Sequence, residues 1–318
     1  MIERKTFDFI YLLKFLGIIM ITNSHFKPIY SGSFKQMAFG GAFGCALFFF
    51  CSGFTMIASK DESFWRYLKR RVLRILPTFW IFLLLSCEWQ SSKNWFCWGH
   101  YWFLQAILVF YCLFYFVKKY FKREMGKIII GLFVTMVFLY FIMPHDKWMI
   151  DYTLHENRFT WLYYFAIMLL GAKGRILIPL KDRWTFYKVC RGVFKSNILK
   201  YLLIPICFFI IYALKFVCTK FPIVNNLQLL FPLLLVSSCY IFYIILWDIN
   251  LNNKFGKFVK FVANITLEIY IVQFVCIAIC SSFPIYIRLV STLIFIFISA
   301  YILHWISGKV SLLIGYGK

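Results

Sequence analysis

Residues 7–26 read FDFIYLLKFLGIIMITNSHF, an apolar run with an ammonium group at Lys14 and an imidazole at His25. The run is close to the ~20 residues a helix needs to cross a bilayer. On a helix the two titratable side chains share a face. Eleven steps at ~100° leave them only ~20° apart in azimuth, and at ~1.5 Å per residue they stand roughly 16 Å apart along the axis. That is about half of a hydrocarbon core. Ionisable groups at such depth are costly and usually mark function. Histidine, with an unperturbed pKa close to neutrality, is the common general base. The plainer alternative is an interfacial His25 and a Lys14 whose stem snorkels to the surface, but a mid-helix Lys calls for a polar partner or a water-filled cavity.

Working outward, similar runs recur along the chain. The expected spans are about 7–26, 38–59, 73–88, 101–118, 126–143, 160–178, 198–217, 223–247, 263–283 and 284–307, the last two meeting in a tight turn at Ser281-Ser282-Phe283-Pro284. The chain has 318 residues, is 62% hydrophobic and holds 40 Phe, 20 Tyr and 11 Trp, more apolar surface than a soluble domain needs. The expected fold is therefore all-α: one polytopic membrane bundle of about ten helices, residues 1–318 forming a single transmembrane domain. The first run is broken by Lys14 and no small-residue cleavage site follows it, so it reads as a retained helix and not a signal peptide.

The net charge of +23 is distributed between the spans and not gathered in one patch, which argues against nucleic acid. One set of connections carries Arg4, Lys5, Lys60, Arg66, Lys69, Arg70, Arg71, Lys118, Lys119, Lys122, Arg123 and Lys127. The same set continues with the basic run from Lys173 to Lys200, then Lys254, Lys257, Lys260, Lys309 and Lys318. The alternating set holds only Lys27, Lys35, Lys93, Lys147, Arg158, Lys215, Lys220 and Arg288. This imbalance of about three to one places both termini in the cytoplasm. The basic connection near 179–197, with Trp184, Phe186 and Tyr187, is expected to rest on an anionic leaflet. Most of the 11 Cys lie inside apolar runs, where thiols act as small hydrophobes, and no ligand spacing suggests a metal. Cys87 and Cys97 flank one short loop.

Two further stretches hold chemistry or packing signals. Lys69-Arg70-Arg71-Val72-Leu73-Arg74-Ile75-Leu76-Pro77 puts Arg71 and Arg74 one helical turn apart. Two guanidinium forks at that spacing suit a multiply phosphorylated ligand, although a topology-fixing cluster would also account for Lys69 and Arg70. In the second span Gly40, Gly41, Gly44, Ser52 and Gly53 allow close helix contact. No base is placed near Ser52 in sequence, so it reads as packing and not as a nucleophile.

Together these features resemble the membrane-bound acyltransferase 3 family, which acylates sugars and other cell-surface groups. Lys14 to His25 resembles that family's pattern of a basic residue, ten residues and a His, in which many members carry Arg at the first position. Gly44-Cys45-Ala46-Leu47-Phe48-Phe49-Phe50-Cys51-Ser52-Gly53-Phe54 is similar to its G-V-x-L-F-F-x-x-S-G-F stretch, and Arg71-Val72-Leu73-Arg74-Ile75-Leu76-Pro77 to its R-x-x-R-I-L-P segment. Tyr101-Trp102-Phe103-Leu104 with Phe110-Tyr111 resembles a W-[YF]-L…Y segment. Ile265-Thr266-Leu267-Glu268-Ile269-Tyr270-Ile271-Val272-Gln273 resembles I-S-x-x-I-Y-L-x-H, with Gln273 in place of the His. The resemblance runs from about residue 5 to 305.

The resemblance implies an acyl-coenzyme A donor, usually acetyl-coenzyme A, used as a co-substrate with no permanently bound cofactor. It also implies a carbohydrate acceptor of the capsule, exopolysaccharide or lipopolysaccharide kind, and residence in the bacterial inner membrane. On this reading Arg71 and Arg74 bind the donor on the inner side, and Lys14 guides its polar arm or polarises the thioester. His25 deprotonates the acceptor hydroxyl at the outer side. Glu88, His100 and Trp102 are candidate orienting or acceptor-site residues. Glu268 needs a partner, either Lys14 or Arg74, unless it lines the acyl channel. His145, His155 and His304 read as loop or interface residues. The competing functions are a transporter or flippase for lipid-linked sugars or small solutes, in which Lys14, Glu268 and His25 would line the path, and a non-catalytic assembly partner.

Overall fold

In hydrocarbon a helix satisfies all its backbone hydrogen bonds within one segment. Each expected span contains a helix in the computed structural model, which describes residues 7–86, 101–142, 160–177 and 197–313. The helices are α1 (Asp8–His25), α2 (Gly41–Met56), α3 (Phe64–Ser86), α4 (Trp102–Tyr120), α5 (Met125–Ile142) and α6 (Thr160–Ile176). They continue with α7 (Asn197–Lys220), α8 (Leu230–Ile245), α9 (Lys254–Asn264), α10 (Thr266–Cys280) and α11 (Ile285–Leu313), and 3-10 turns cover Gly32–Met37 and Pro222–Leu229. No strand occurs among the described residues.

Five helical stretches are long and apolar enough to cross a membrane: Gly32–Met56, Trp102–Tyr120, Met125–Ile142, Asn226–Ile245 and Ile285–Leu313. The pair α9 and α10, bent by 72°, makes a sixth if taken as one span. The structure therefore supports five or six spans where about ten were expected, and part of the difference has a readable cause. Asp8, Lys14 and the polar end Thr22–His25 dilute α1. Five cations dilute α3, and α6 is 17 residues long.

Three boundaries differ from the sequence reading. Helix α3 starts at Phe64 and not near 73. An ion pair between Arg70 and Glu62 and the Tyr115 hydroxyl, donating to the Glu62 carbonyl at 3.0 Å, anchor its first turns. Nothing between Phe64 and Pro77 breaks the helix, whereas Pro77 lacks the N–H that would serve the Leu73 carbonyl. The eighth span opens as the 3-10 turn Pro222–Leu229, closed by Tyr140, which donates to Asn226 at 3.0 Å and accepts from Gln228 at 2.9 Å. The ninth is interrupted at Ile265, so most of α9 precedes it.

The chain divides into two compact units. The first comprises the described residues within Met1–Lys14, Cys45–Lys60 and Val117–Gly256. At its centre α6 is buried along nearly its whole length. A Cβ on Gly53 would collide with the Met168 carbonyl, and one on Gly171 with the Phe50 carbonyl, so α2 and α6 meet backbone to backbone. Contacts of this kind allow Cα–H···O interactions worth ~0.5–1 kcal/mol each. Phe9, Phe54, Tyr243 and Trp247 form an aromatic cluster beside them, and the Arg175 guanidinium lies 4.4 Å over the Phe7 ring.

The second unit comprises Phe15–Gly44, Asp61–Phe116 and Lys257–Lys318, again within the described residues. Here α10 packs chiefly on α11, and both touch α3. Much of α11 exposes apolar side chains, among them Leu293, Ile298 and Ile302, as expected where the surrounding solvent is lipid.

Candidate active site

The polar end of α1 is braced from within its own unit. Asn23 donates through Nδ2 to the carbonyls of Met37 (2.7 Å) and Phe39 (3.0 Å), and its Oδ1 accepts from the Tyr30 hydroxyl at 2.6 Å. Burial holds that hydroxyl above the ordinary phenol value, so it stays protonated and donating at neutral pH. The loop after α1 is thereby stapled back to the helix end. Ser24 donates to the Ile21 carbonyl at 2.6 Å, so its proton is committed to the helix. Glycines bring α2 alongside. A Cβ on Gly44 would lie 2.5 Å from the Gly17 carbonyl oxygen and 2.7 Å from Ile21 Cγ1, and one on Gly41 would lie 2.5 Å from Ser24 Oγ.

His25 is half-buried and meets Phe274 of α10 edge-on, ring centroids 4.6 Å apart. Phe274 in turn touches Tyr101 at 5.5 Å and Tyr270 at 5.9 Å, while Tyr101 packs on Phe79 at 4.9 Å. The imidazole therefore sits against an aromatic wall built by α3, α10 and the residue before α4. Gln273, which stands where the resembled motif has a His, is fully buried, and neither its amide nitrogen nor its oxygen has a partner among the described residues.

Arg71 and Arg74 lie further down the same α3. The Arg71 guanidinium lies over Tyr67 at 5.5 Å and Tyr111 at 5.6 Å, so two rings fix its plane, whereas Arg74 is exposed. From Arg71 to Phe82 is eleven residues, roughly 16 Å along the helix axis. Phe82 also reaches Tyr101, at 6.2 Å. Within this unit, guanidinium and imidazole surroundings are thus linked by one helix. Lys14 belongs to the other unit, half-buried and within electrostatic reach of the buried Cys51 thiol. Helix α1 runs from Asp8 to His25.

Glu268 is buried in the first turn of α10, and its Oε1 lies 2.7 Å from His304 Nδ1 on α11. The partner of Glu268 is thus His304 and neither Lys14 nor Arg74, and His304 lies on a helix and not in a loop. Glu268 Oε2 has no partner among the described residues. Trp102 opens α4, half-buried, 6.1 Å from the Phe103 ring. Glu88, His100, His145 and His155 lie outside the described residues, as do Cys87 and Cys97. Among the described residues no group of three or more His, Cys, Asp or Glu could hold a metal ion.

The second unit thus holds an imidazole against an aromatic wall at the end of α1 and a ring-stacked guanidinium on α3. The chain belongs to the acyltransferase 3 family, whose model, described as an acyltransferase domain, matches residues 7–314. Membership makes it a membrane acyltransferase. No curated protein and no solved structure matches the chain.

Proposed function

We propose that this enzyme moves an acyl group, acetyl in the first instance, from cytoplasmic acyl-coenzyme A to a hydroxyl of a cell-surface or exported carbohydrate at the bacterial inner membrane. The observation that carries the proposal is His25, half-buried and held edge-on by Phe274 in a member of an acyltransferase family. His25 accepts the hydroxyl proton as the acceptor oxygen attacks the thioester carbonyl. A C–O bond forms, the C–S bond breaks, and the proton passes to the departing thiolate to give free coenzyme A. A positioned base of this kind contributes about 10²–10⁴-fold. Arg71 and Arg74 receive the donor phosphates, and Tyr67 and Tyr111 keep the Arg71 fork oriented. Lys14 serves the donor's polar arm or its carbonyl. Loop charge supports cytoplasmic termini, with the arginines on the inner side and His25 on the outer.

The test is transfer from radiolabelled acetyl-coenzyme A to polysaccharide precursors by protein in proteoliposomes, read as labelled sugar and released coenzyme A. His25→Ala should bind donor normally and lose at least a hundredfold in turnover. Normal turnover in that variant removes His25 as the base. The 72° break between α9 and α10 favours a second reading, transport, since interrupted helices build many transporter sites. Sugar uptake without coenzyme A release would establish it.

A further inference from the structure

A groove of about 700 Å³ runs between α1, α9 and α11 of the second unit, within the size range of specific small-molecule sites. One end is aromatic: Phe15 meets Phe258 at 6.1 Å, and Phe258 stacks on Phe297 at 6.2 Å. The other end is polar, formed by Thr22, Asn23 and Tyr30. The side is open, with the half-exposed Leu293 and Ile294 at its mouth, so a ligand can enter from the hydrocarbon phase.

Two observations say what fills it. Thr22 lines the groove and is only 6% exposed, yet its hydroxyl has no partner among the described residues. Helical threonines commonly donate to the carbonyl four residues back, and this one does not. A buried unmet hydroxyl costs about 1–3 kcal/mol, so an acceptor on a ligand has a place there. Charge gives the second. Lys27 is exposed between Phe26 and Tyr30, which both line the polar end. Arg288, one residue before the lining Leu289, donates to the Pro28 carbonyl at 3.4 Å and the Phe283 carbonyl at 3.0 Å. No Asp or Glu occurs in residues 9–60 or 269–318. An anion is welcome at this end and a cation is not.

We propose that the groove seats the hydrocarbon chain of a saccharide linked to lipid through phosphate, with the phosphate beside Lys27 and Arg288 and Thr22 donating to a head-group oxygen. His25 follows Thr22 by one helical turn, so the saccharide is delivered next to the imidazole. The inference rests on the acyl-transfer reading for the fate of that saccharide but not for its binding. The enzyme then takes its acceptor after a lipid-phosphate glycosyltransferase has made it and before the lipid is removed.

The probe is N-acetylglucosamine linked by diphosphate to a farnesyl chain ending in benzophenone, photolysed with the full chain in phosphatidylcholine proteoliposomes. Labelling should map to α9 and α11 peptides and be displaced by the non-photoreactive analogue but not by a hundredfold excess of phosphatidylglycerol. Thr22→Val should weaken labelling at least fivefold, Thr22→Ser should restore it, and Leu293→Trp should block it. Equal displacement by phosphatidylglycerol, or labelling indifferent to all three variants, overturns the inference. A transfer assay separates the two readings. Equal KM for the lipid-linked sugar and its soluble methyl glycoside sinks the groove while acyl transfer stands. Specific labelling without transfer to any sugar sinks acyl transfer while the groove stands.

Discussion

Gly44→Ala tests whether the closeness of α1 and α2 positions the imidazole. The added methyl would sit 2.5 Å from the Gly17 carbonyl oxygen, against 3.4 Å for the near limit of ordinary contact, a shortfall of about 0.9 Å. The obstacle is backbone and not the tip of a flexible chain, so α1 itself must move by most of that distance. Ile21, the second obstacle, lies one helical turn from His25, and the shift therefore reaches the imidazole. Misplacing a catalytic group by 1 Å can cost about 10²-fold, equivalent to ~2.7 kcal/mol of barrier. The assay is kcat/KM for acetyl transfer in proteoliposomes, paired with a thermal melt to show that the variant is folded. Gly131→Ala is the control, because nothing lies within 4 Å of its added Cβ, and it should raise stability by a few tenths of a kcal/mol to about 1 kcal/mol. If folded Gly44→Ala keeps kcat/KM within threefold of the parent, His25 is not positioned through this contact and the reasoning fails.

Arg71→Lys keeps the charge but loses the fork and the stacking on Tyr67 and Tyr111; a rise of about tenfold in KM for acetyl-coenzyme A is expected, and a smaller one for Arg74→Lys. Glu268→Leu removes the hydrogen-bond partner of His304 and should lower unfolding stability by about 1–3 kcal/mol, with the Glu268→Leu/His304→Leu double variant recovering most of it; chemical denaturation in detergent reads both. Asn23→Leu removes three hydrogen bonds at once, so faster proteolysis of the loop after α1 and a stability loss of about 1–3 kcal/mol are expected.

The helices were legible because apolar runs of bilayer length leave few alternatives, and the glycines of α2 announced close packing before their partners were known. The Tyr67–Arg71 stack was also within reach, since the two are four residues apart on one helix, whereas Tyr111 comes from α4 and leaves no local trace. Asn23 attracted attention only as a neighbour of His25, because the carbonyls it binds belong to a turn whose path no periodicity specifies. The Glu268–His304 pair was hidden by unequal arms: counting back from the turn at Ser282 and Phe283 sets Glu268 opposite about Phe297, not His304. The aromatic wall of Phe274, Tyr101 and Phe79 joins three distant segments, and with 22% aromatic residues no single ring stands out.

The reciprocal glycines of α2 and α6 have a mechanical consequence. With a carbonyl of each helix pressed on the bare backbone of the other at Gly53 and Gly171, a slide by one residue in either direction would drive a side chain into a space sized for hydrogen. The two helices are keyed together like a mortise joint and must travel as a single stiff plank, so whatever flexing accompanies turnover has to be accommodated elsewhere in the chain.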